Sequence, residues 1–213
     1  MRVTIAPYSV LGQSMSDKGK FIDGVAAAPD ETIVFVDPAG LHHIQPPGGP
    51  SGAGGAAGAI YKFLGIHRSD RFPDEVINAV QQTGDAKYHM YEGGPQCLQI
   101  HCIHAVGPNF NGEDRGASWD DAVEKLSIAH FNVLREFAAS SIPNLRMLPI
   151  SGGIFAGEYQ PQVAKLTAEA LRVAAGRLSD AEKAILAERK LELCIFMEAE
   201  VEAFRAATGD GLL

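Results

Sequence analysis

Three glycine-rich segments, 37–58, 107–116 and 151–157, hold most of the residues whose types and spacing could do chemistry. "GAGGAAGAI" starts at Gly52 and runs into helix-forming sequence, while "SGGIFAG" starts at Ser151 and precedes another helical pattern. Glycine lets a backbone approach a ligand closely, and successive N–H groups leading into a helix make a cradle for an anion. Two such cradles on one sheet edge suit a diphosphate. The first is not a Walker loop, because no Lys-Ser/Thr follows its last glycine. Nor does Gly52-x-Gly54-x-x-x-Gly58 fit a dinucleotide fingerprint. A long loop parts it from its strand, and no acidic residue caps a next strand about 20 residues on.

The titratable side chains near these loops each carry two readings. Asp37 ends a buried run, where it could pair with a ribose hydroxyl, act as a base, or accept in an Asx turn. His42 and His43 follow in the loop, either contacting a ribose and sharing in catalysis or lying as exposed loop histidines. His104 falls in a buried strand and reads as a hydrogen-bonded core histidine. Cys97, His101, Cys102 and His104 are metal-ligating types, but strand alternation puts His101 and Cys102 on opposite faces, and no Cys-x-x-Cys pair exists. The sequence therefore calls for no metal and no cofactor. Phe155 reads as a lid or as packing, and Phe196 as core or as a ligand contact. "EAEVEAF" (198–204) reads as a solvated helix face.

The elements that must position these groups alternate along the chain. "RVTIA" (2–6) and the continuous β-branched and aromatic run "TIVFV" (32–36) read as strands, the second stopping at "DPAG". Residues 7–30 are turn-rich and give no strong element. "AAGAIYKFLG" reads as a helix ended by Gly65, and 73–82 as a second helix with Asp74 and Glu75 favourable at its start. Strands follow at 86–91 and 98–106, then a long amphipathic helix from Asp120 to about Ala139, capped by Ser118 or Asp120. A short strand at 146–150, a helix entered at Pro161, and a Ser179-x-x-Glu182 capping box come next. The strand 191–196, the helix 198–207 and a frayed tail at 209–213 complete the pattern. Strands alternating with helices, with no internal repeat and no linker, argue one layered α/β domain over 1–213 with a largely parallel sheet.

Composition bounds the rest. A formal charge of −8 and a pI near 5.3 argue against broad capture of nucleic acid. No window approaches about 18 uninterrupted apolar residues, so no membrane span is expected, and the first residues show no secretory signal. Three cysteines fit reduced thiols in a cytosol-like compartment better than a disulfide framework, so the chain is expected in the cytoplasm, with the nucleus left open. The chain is expected to be a monomer.

Taken together, the loops resemble the macrodomain family. "IVFVDPAG…GGPSGAGGAAGAIYKFLG" resembles its buried strand, Asn-Ala-Ala-Asn-like turn and glycine loop opening a helix. "TGDAK" (83–87), "CIHAVGPNF" (102–110), "LPISGGIFAG" (148–157) and "LCIFMEAEVEAF" (193–204) resemble further family segments in the same order, so that the likeness covers roughly 32–207. The resemblance implies a three-layer α/β/α sandwich with a mixed, largely parallel central sheet that binds ADP-ribose or an ADP-ribosylated protein. In some members the fold also hydrolyses ADP-ribosyl or O-acetyl-ADP-ribose esters. Carried over, Gly54, Gly55, Ala56, Ala57 and Gly58 form the first phosphate loop, with Gly40 at the strand-end turn. Ser151, Gly152, Gly153, Ile154, Phe155 and Ala156 wrap the diphosphate and distal ribose, and Phe196 lies against the adenine.

The departures bear on mechanism. Gly40 stands where hydrolysing members carry an asparagine, Asp37 replaces an earlier asparagine, and Ala57 replaces an aspartate of one active branch. The aspartate that accepts from the adenine amine should fall near 8–12, where "YSVLG" stands. The resemblance therefore implies a binder first. An enzyme with Asp37 or a loop histidine in place of the missing asparagine is the second reading. A nucleotide-free scaffold for a protein partner is the third.

Overall fold

A computed structural model describes residues 1–93 and 99–209. Cys97, the first residue of the expected strand 98–106, and residues 210–213 of the expected frayed tail lie outside these. Among the described residues there are eight strands: β1 (Arg2–Ala6), β2 (Ser14–Met15), β3 (Phe21–Ile22), β4 (Ile33–Ala39), β5 (Ala86–Glu92), β6 (Gln99–Val106), β7 (Asn144–Met147) and β8 (Lys190–Cys194). The helices among them are α1 (Leu41–Ile44), α2 (Gly55–Phe63), α3 (Asp74–Ala79), α4 (Trp119–Ala139), α5 (Val163–Arg177), α6 (Asp180–Ala187) and α7 (Val201–Thr208).

Six strands form one sheet in the order β1-β8-β7-β4-β6-β5. All neighbours pair parallel except β5, which runs antiparallel to β6 at the edge. Side-chain alternation along the central strands builds two separate cores. Val34 and Val36 of β4, with Ile103 and Ala105 of β6, join the cluster that includes α4, α5 and α7. Phe35 and Ala39 of β4, with Cys102 and Val106 of β6, join the cluster made with α2 and α3. The result is helices on both faces of a mixed, mostly parallel sheet. The same alternation sends Cys102 and His101 to opposite faces, His101 Nδ1 lying 2.7 Å from the Tyr88 hydroxyl. Among the described residues no group of three or more His, Cys, Asp or Glu is arranged to hold a metal ion.

Local signals account for most element ends. Ser118 caps α4 by accepting from the Asp121 N–H, and Ser179 with Glu182 forms a complete capping box on α6. Gly65, at φ +76, follows the C-cap of α2 in the left-handed region that glycine adopts freely. Strand β4 continues past the expected stop, through Asp37 and Pro38 to Ala39. Beyond Phe35 it pairs only with β6, so one flank is open where proline lacks its donor. Strand β7 lies earlier than expected, ending at Met147, and Pro161 falls in a 3-10 turn before α5. The segment 7–30 holds the small hairpin of β2 and β3, for which the sequence gives no alternating run. No helix among the described residues is long and apolar enough to cross a membrane.

One buried group in the α4 layer makes stability depend on pH. His130 is fully buried, neither ring nitrogen has a partner, and burial pushes its pKa down to about 3. The unfolded chain takes up a proton near pH 6.5 that the folded chain refuses until about 3. The unfolded state therefore binds more protons across that window, and stability falls as pH drops through it. A His130→Leu variant is expected to lose less: at pH 5 its melting temperature should exceed that of the parent by about 5 °C, with a smaller gap at pH 8. Thermal melts at both pH values check this. An equal gap at the two would rule out titration of His130 as the cause.

Candidate functional site

The chain leaves the C-terminal ends of β4, β6, β7 and β8 through the loops that face one groove, as open parallel sheets do. The groove has three connected parts with different chemistry. An apolar part of about 420 Å³ lies between the first turn of α2, the segment 9–21 and the end of β8. A middle part of about 540 Å³ runs between Gly54–Ala57 and Ser151–Phe155. A third, more polar part of about 660 Å³ is lined by Gln45, Thr83, Asn109 and Glu113 together with Leu41, Pro46, Pro47 and Val106. Gly55, Ala56, Gly152 and Gly153 border the first two parts, and His42 and Phe155 border the last two. Each is of a size usual for small-molecule sites.

Two glycine turns bring backbone to the middle part, alongside the side chains of Pro38, His42, His43, Leu148, Ile154 and Phe155. Gly54 is the N-cap of α2, with extended backbone and no side-chain cap, and Gly55 takes φ +58. The first internal bond of the helix runs from the Gly58 N–H to the Gly54 carbonyl, 3.0 Å, which leaves the preceding helix N–H groups without a backbone partner among the described residues. Opposite stands a turn in which Gly152 N–H donates to Pro149 O (3.0 Å) and Ala156 N–H donates to Gly153 O (2.9 Å). Ser151, the only non-glycine residue with positive φ among those described, sits at φ +58. Its hydroxyl donates to Pro108 O at 2.7 Å and ties this turn to the loop after β6. A Cβ on Gly107 would lie 2.4 Å from both Ile150 Cγ2 and Ser151 Oγ, so that loop must be glycine to pack this closely. Phe110 N–H donates to Phe155 O at 2.9 Å and completes the tie. Backbone strain held this firmly is a feature of ligand-holding turns.

Of the residues singled out in the sequence, Gly40, Gly54, Gly55, Ala56, Ala57, Ser151, Gly152, Gly153, Ile154 and Phe155 line the middle part, and Phe196 lines the apolar part. Ile154 is 86% exposed at the rim. Two others are placed elsewhere. Gly58 packs against its own loop, where a Cβ would meet Ala53 O at 2.6 Å, and Ala156 is buried behind its turn.

Asp37 needs a larger correction. Parallel register sets it beside His104, both side chains are fully buried, and Asp37 Oδ2 lies 2.7 Å from His104 Nδ1. His104 Nε2 in turn lies 2.8 Å from the Tyr91 hydroxyl. Asp37 is thus part of a core network on the α2/α3 side, neither an Asx-turn acceptor nor a group that reaches the groove. His104 is the bonded core histidine that the strand pattern predicts. His42 and His43 stand on α1, not in a loose loop. Ile44 is buried beneath them, and Gln45 Nε2 donates to Ile77 O (2.8 Å) and Val80 O (2.6 Å). Their rings are 4.1 Å apart, and burial, followed by the charge of His42, lowers the pKa of His43.

The apolar part contains residues that the sequence reading missed. Ser9, Val10, Leu11, Gln13, Phe21 and Glu200 line it beside Phe196. The hairpin brings Phe21 here because the Met15 N–H donates to Phe196 O at 2.8 Å. The Phe21 and Phe196 rings then lie 6.4 Å apart at 51°. The segment itself is held from below by Arg146 of β7. Its guanidinium donates to Ala27 O (2.8 Å), Val10 O (3.4 Å) and Glu192 Oε2 (2.9 Å). An arginine inside the otherwise buried run "NLRM" is the sequence signal that could have pointed to this anchor. Among the described residues no lysine or arginine lines any part of the groove.

No family model matches the sequence, and no curated protein matches it. Solved structures do. A macrodomain of Oceanobacillus iheyensis with ADP is 18% identical, at a TM-score of 0.52, over 84% of this chain and 84% of that one. A Trypanosoma brucei macrodomain in complex with ADP is 15% identical, at a TM-score of 0.53, over 95% of this chain and 79% of that one. A mutant of the Oceanobacillus iheyensis macrodomain with ADPR is 17% identical, at a TM-score of 0.51, over 82% and 83% of the two chains. At these identities the likeness shows the fold, and the fold is that of a macrodomain.

Proposed function

We propose that this chain uses its macrodomain fold to bind ADP-ribose, free or attached to a protein. The observation that carries the reading is the order of chemistry along the groove: apolar and aromatic, then backbone N–H, then more polar. A nucleoside, a diphosphate and a second ribose present the same order. With no lysine or arginine among the described lining residues, the phosphates are held by N–H groups and by the α2 dipole. The structures with ADP and ADPR named above belong to proteins of the same fold and support this reading.

Calorimetric titration tests it. ADP-ribose is expected to bind one to one with a dissociation constant well below about 1 mM, which is roughly −4 kcal/mol. AMP and ribose 5-phosphate, each filling half the groove, should bind more weakly. Absence of heat with ADP-ribose at about 1 mM would sink the proposal.

A hydrolase reading is favoured by one observation: His42 and His43 flank the middle and polar parts, where a distal ribose would lie. Asp37 is too deep to serve. A lowered pKa keeps His43 neutral at pH 7, able to accept a proton from water. If the chain is an enzyme, release of ADP-ribose from a modified protein should fall at least about tenfold in His43→Ala, and binding should change little. Turnover that survives substitution of both histidines would exclude them. Absence of turnover in the parent protein leaves binding as the function.

A further inference from the structure

We propose that Glu200 selects, at the apolar end of the groove, a base that carries an exocyclic amine. The inference rests on the nucleotide reading above and assigns a residue to its least explained part.

The walls there are mostly carbon. Val10, Leu11 and the rings of Phe21 and Phe196 enclose a space that suits a flat heteroaromatic ring. Three polar side chains face it, and two are already engaged. The Ser9 hydroxyl oxygen accepts from the Leu11 and Gln13 N–H groups, both at 3.2 Å, and reaches Gln13 Oε1 at 3.5 Å. Glu200 differs. Its carboxylate makes no ion pair and no side-chain hydrogen bond among the described residues. Its pKa is raised by burial alone, with no charge or hydrogen bond opposing. Glu192, a comparably buried carboxylate, is held by Arg146 and Lys190.

The position of Glu200 is fixed by its backbone. It closes the 3-10 turn Glu198–Glu200, its N–H donates to Met197 O at 3.0 Å, and the next residue, Val201, is buried. Glu200 is half-buried, so water meets its carboxylate in the free protein, and a ligand that displaces this water from the apolar wall must supply a donor in its place. The N–H of an amine on the base is such a donor. A cationic ligand group would also satisfy a carboxylate, but the cleft continues directly into the anion cradle at Gly55 and Gly153, which fits a nucleotide base instead.

The test compares ADP-ribose with its analogue in which unsubstituted purine replaces adenine, titrated into the parent protein, Glu200→Gln and Glu200→Ala. The parent should prefer ADP-ribose by about tenfold or more, the size of a hydrogen bond to a charged acceptor. Glu200→Ala should bind the two ligands within about threefold, and Glu200→Gln should fall between, since a neutral carbonyl accepts more weakly. Melting temperatures should not fall in either variant, because the carboxylate has no protein partner to lose among the described residues. If the parent binds both ligands equally, or Glu200→Ala keeps the full preference, the assignment is wrong while the nucleotide reading stands. If the parent binds neither ligand, both fall together.

Discussion

A Gly153→Glu variant is expected to fold as the parent does and to bind ADP-ribose at least about 100-fold more weakly. Gly153 borders both the apolar and the middle parts of the groove. A Cβ built there meets no heavy atom within 4 Å, and the backbone is not in the left-handed region, so the fold has no reason to resist the side chain. The new carboxylate would stand in the space of the diphosphate. Like charges about 4 Å apart repel by about 4 kcal/mol at the effective dielectric of a protein surface, so the expected loss is conservative. The same substitution at Gly55 is less clean. At φ +58 any side chain costs about 1–2 kcal/mol, and a weakened helix start could mimic a lost ligand. Titration and a thermal melt on Gly153→Glu separate the two causes. Retained affinity would place the ligand elsewhere.

An Arg146→Met variant is expected to lose both stability and affinity. Arg146 is buried to 6% exposure beneath the segment 7–30, with Glu192 and two backbone carbonyls as its partners. Burial pushes the Glu192 carboxyl up, but the hydrogen bonds from Lys190 and Arg146 outweigh it and hold the pKa below the ordinary 4.5. Breaking a buried pair from one side costs about 3–5 kcal/mol, and the remaining Lys190 contact puts this case at the low end. At about 2–4 °C per kcal/mol for a chain of this size, the melting temperature should drop by about 10 °C. Because Val10 and Ala27 lose their donor, the wall that carries Ser9 to Gln13 loosens, and ADP-ribose affinity should fall about tenfold. The sign of the pH effect follows from the lowered pKa. The stabilisation from the pair is present above pH 4.5 and is lost as pH falls through the folded value. The gap between parent and variant should therefore narrow in acid. A gap that widens below pH 4.5 would refute the pairing.

Much of the framework is legible in the sequence because local physics specifies it. The β-branched run 32–36 can bury both faces, and the Ser179–Glu182 box and Gly65 mark helix ends by themselves. The glycine loops are legible for a related reason: they lie directly after buried strands, where open sheets place ligands. What the sequence hides is tertiary. Asp37 could be any of several things until the register with β6 sets it against His104 in the core. Glu200 sits in a run of acids that alternates like a solvated helix face, but a 3-10 turn rotates its side chain into the cleft. Phe21 belongs to a turn-rich segment with no strand period. The bonds from the Met15 N–H to Phe196 O and from the Asp17 N–H to Glu198 Oε2 bring it to the groove.

The central claim is that one ligand lies along the groove with its diphosphate between the two glycine turns. A crystal structure of the protein with ADP-ribose tests it most directly. The account predicts phosphate oxygens within about 3 Å of N–H groups at the start of α2 and in the Gly153–Phe155 turn, the usual range for such bonds. It also predicts the base against the apolar wall formed by Phe21 and Phe196, beside Glu200. Ligand density at another face, or a groove left empty at saturating ADP-ribose, would contradict it.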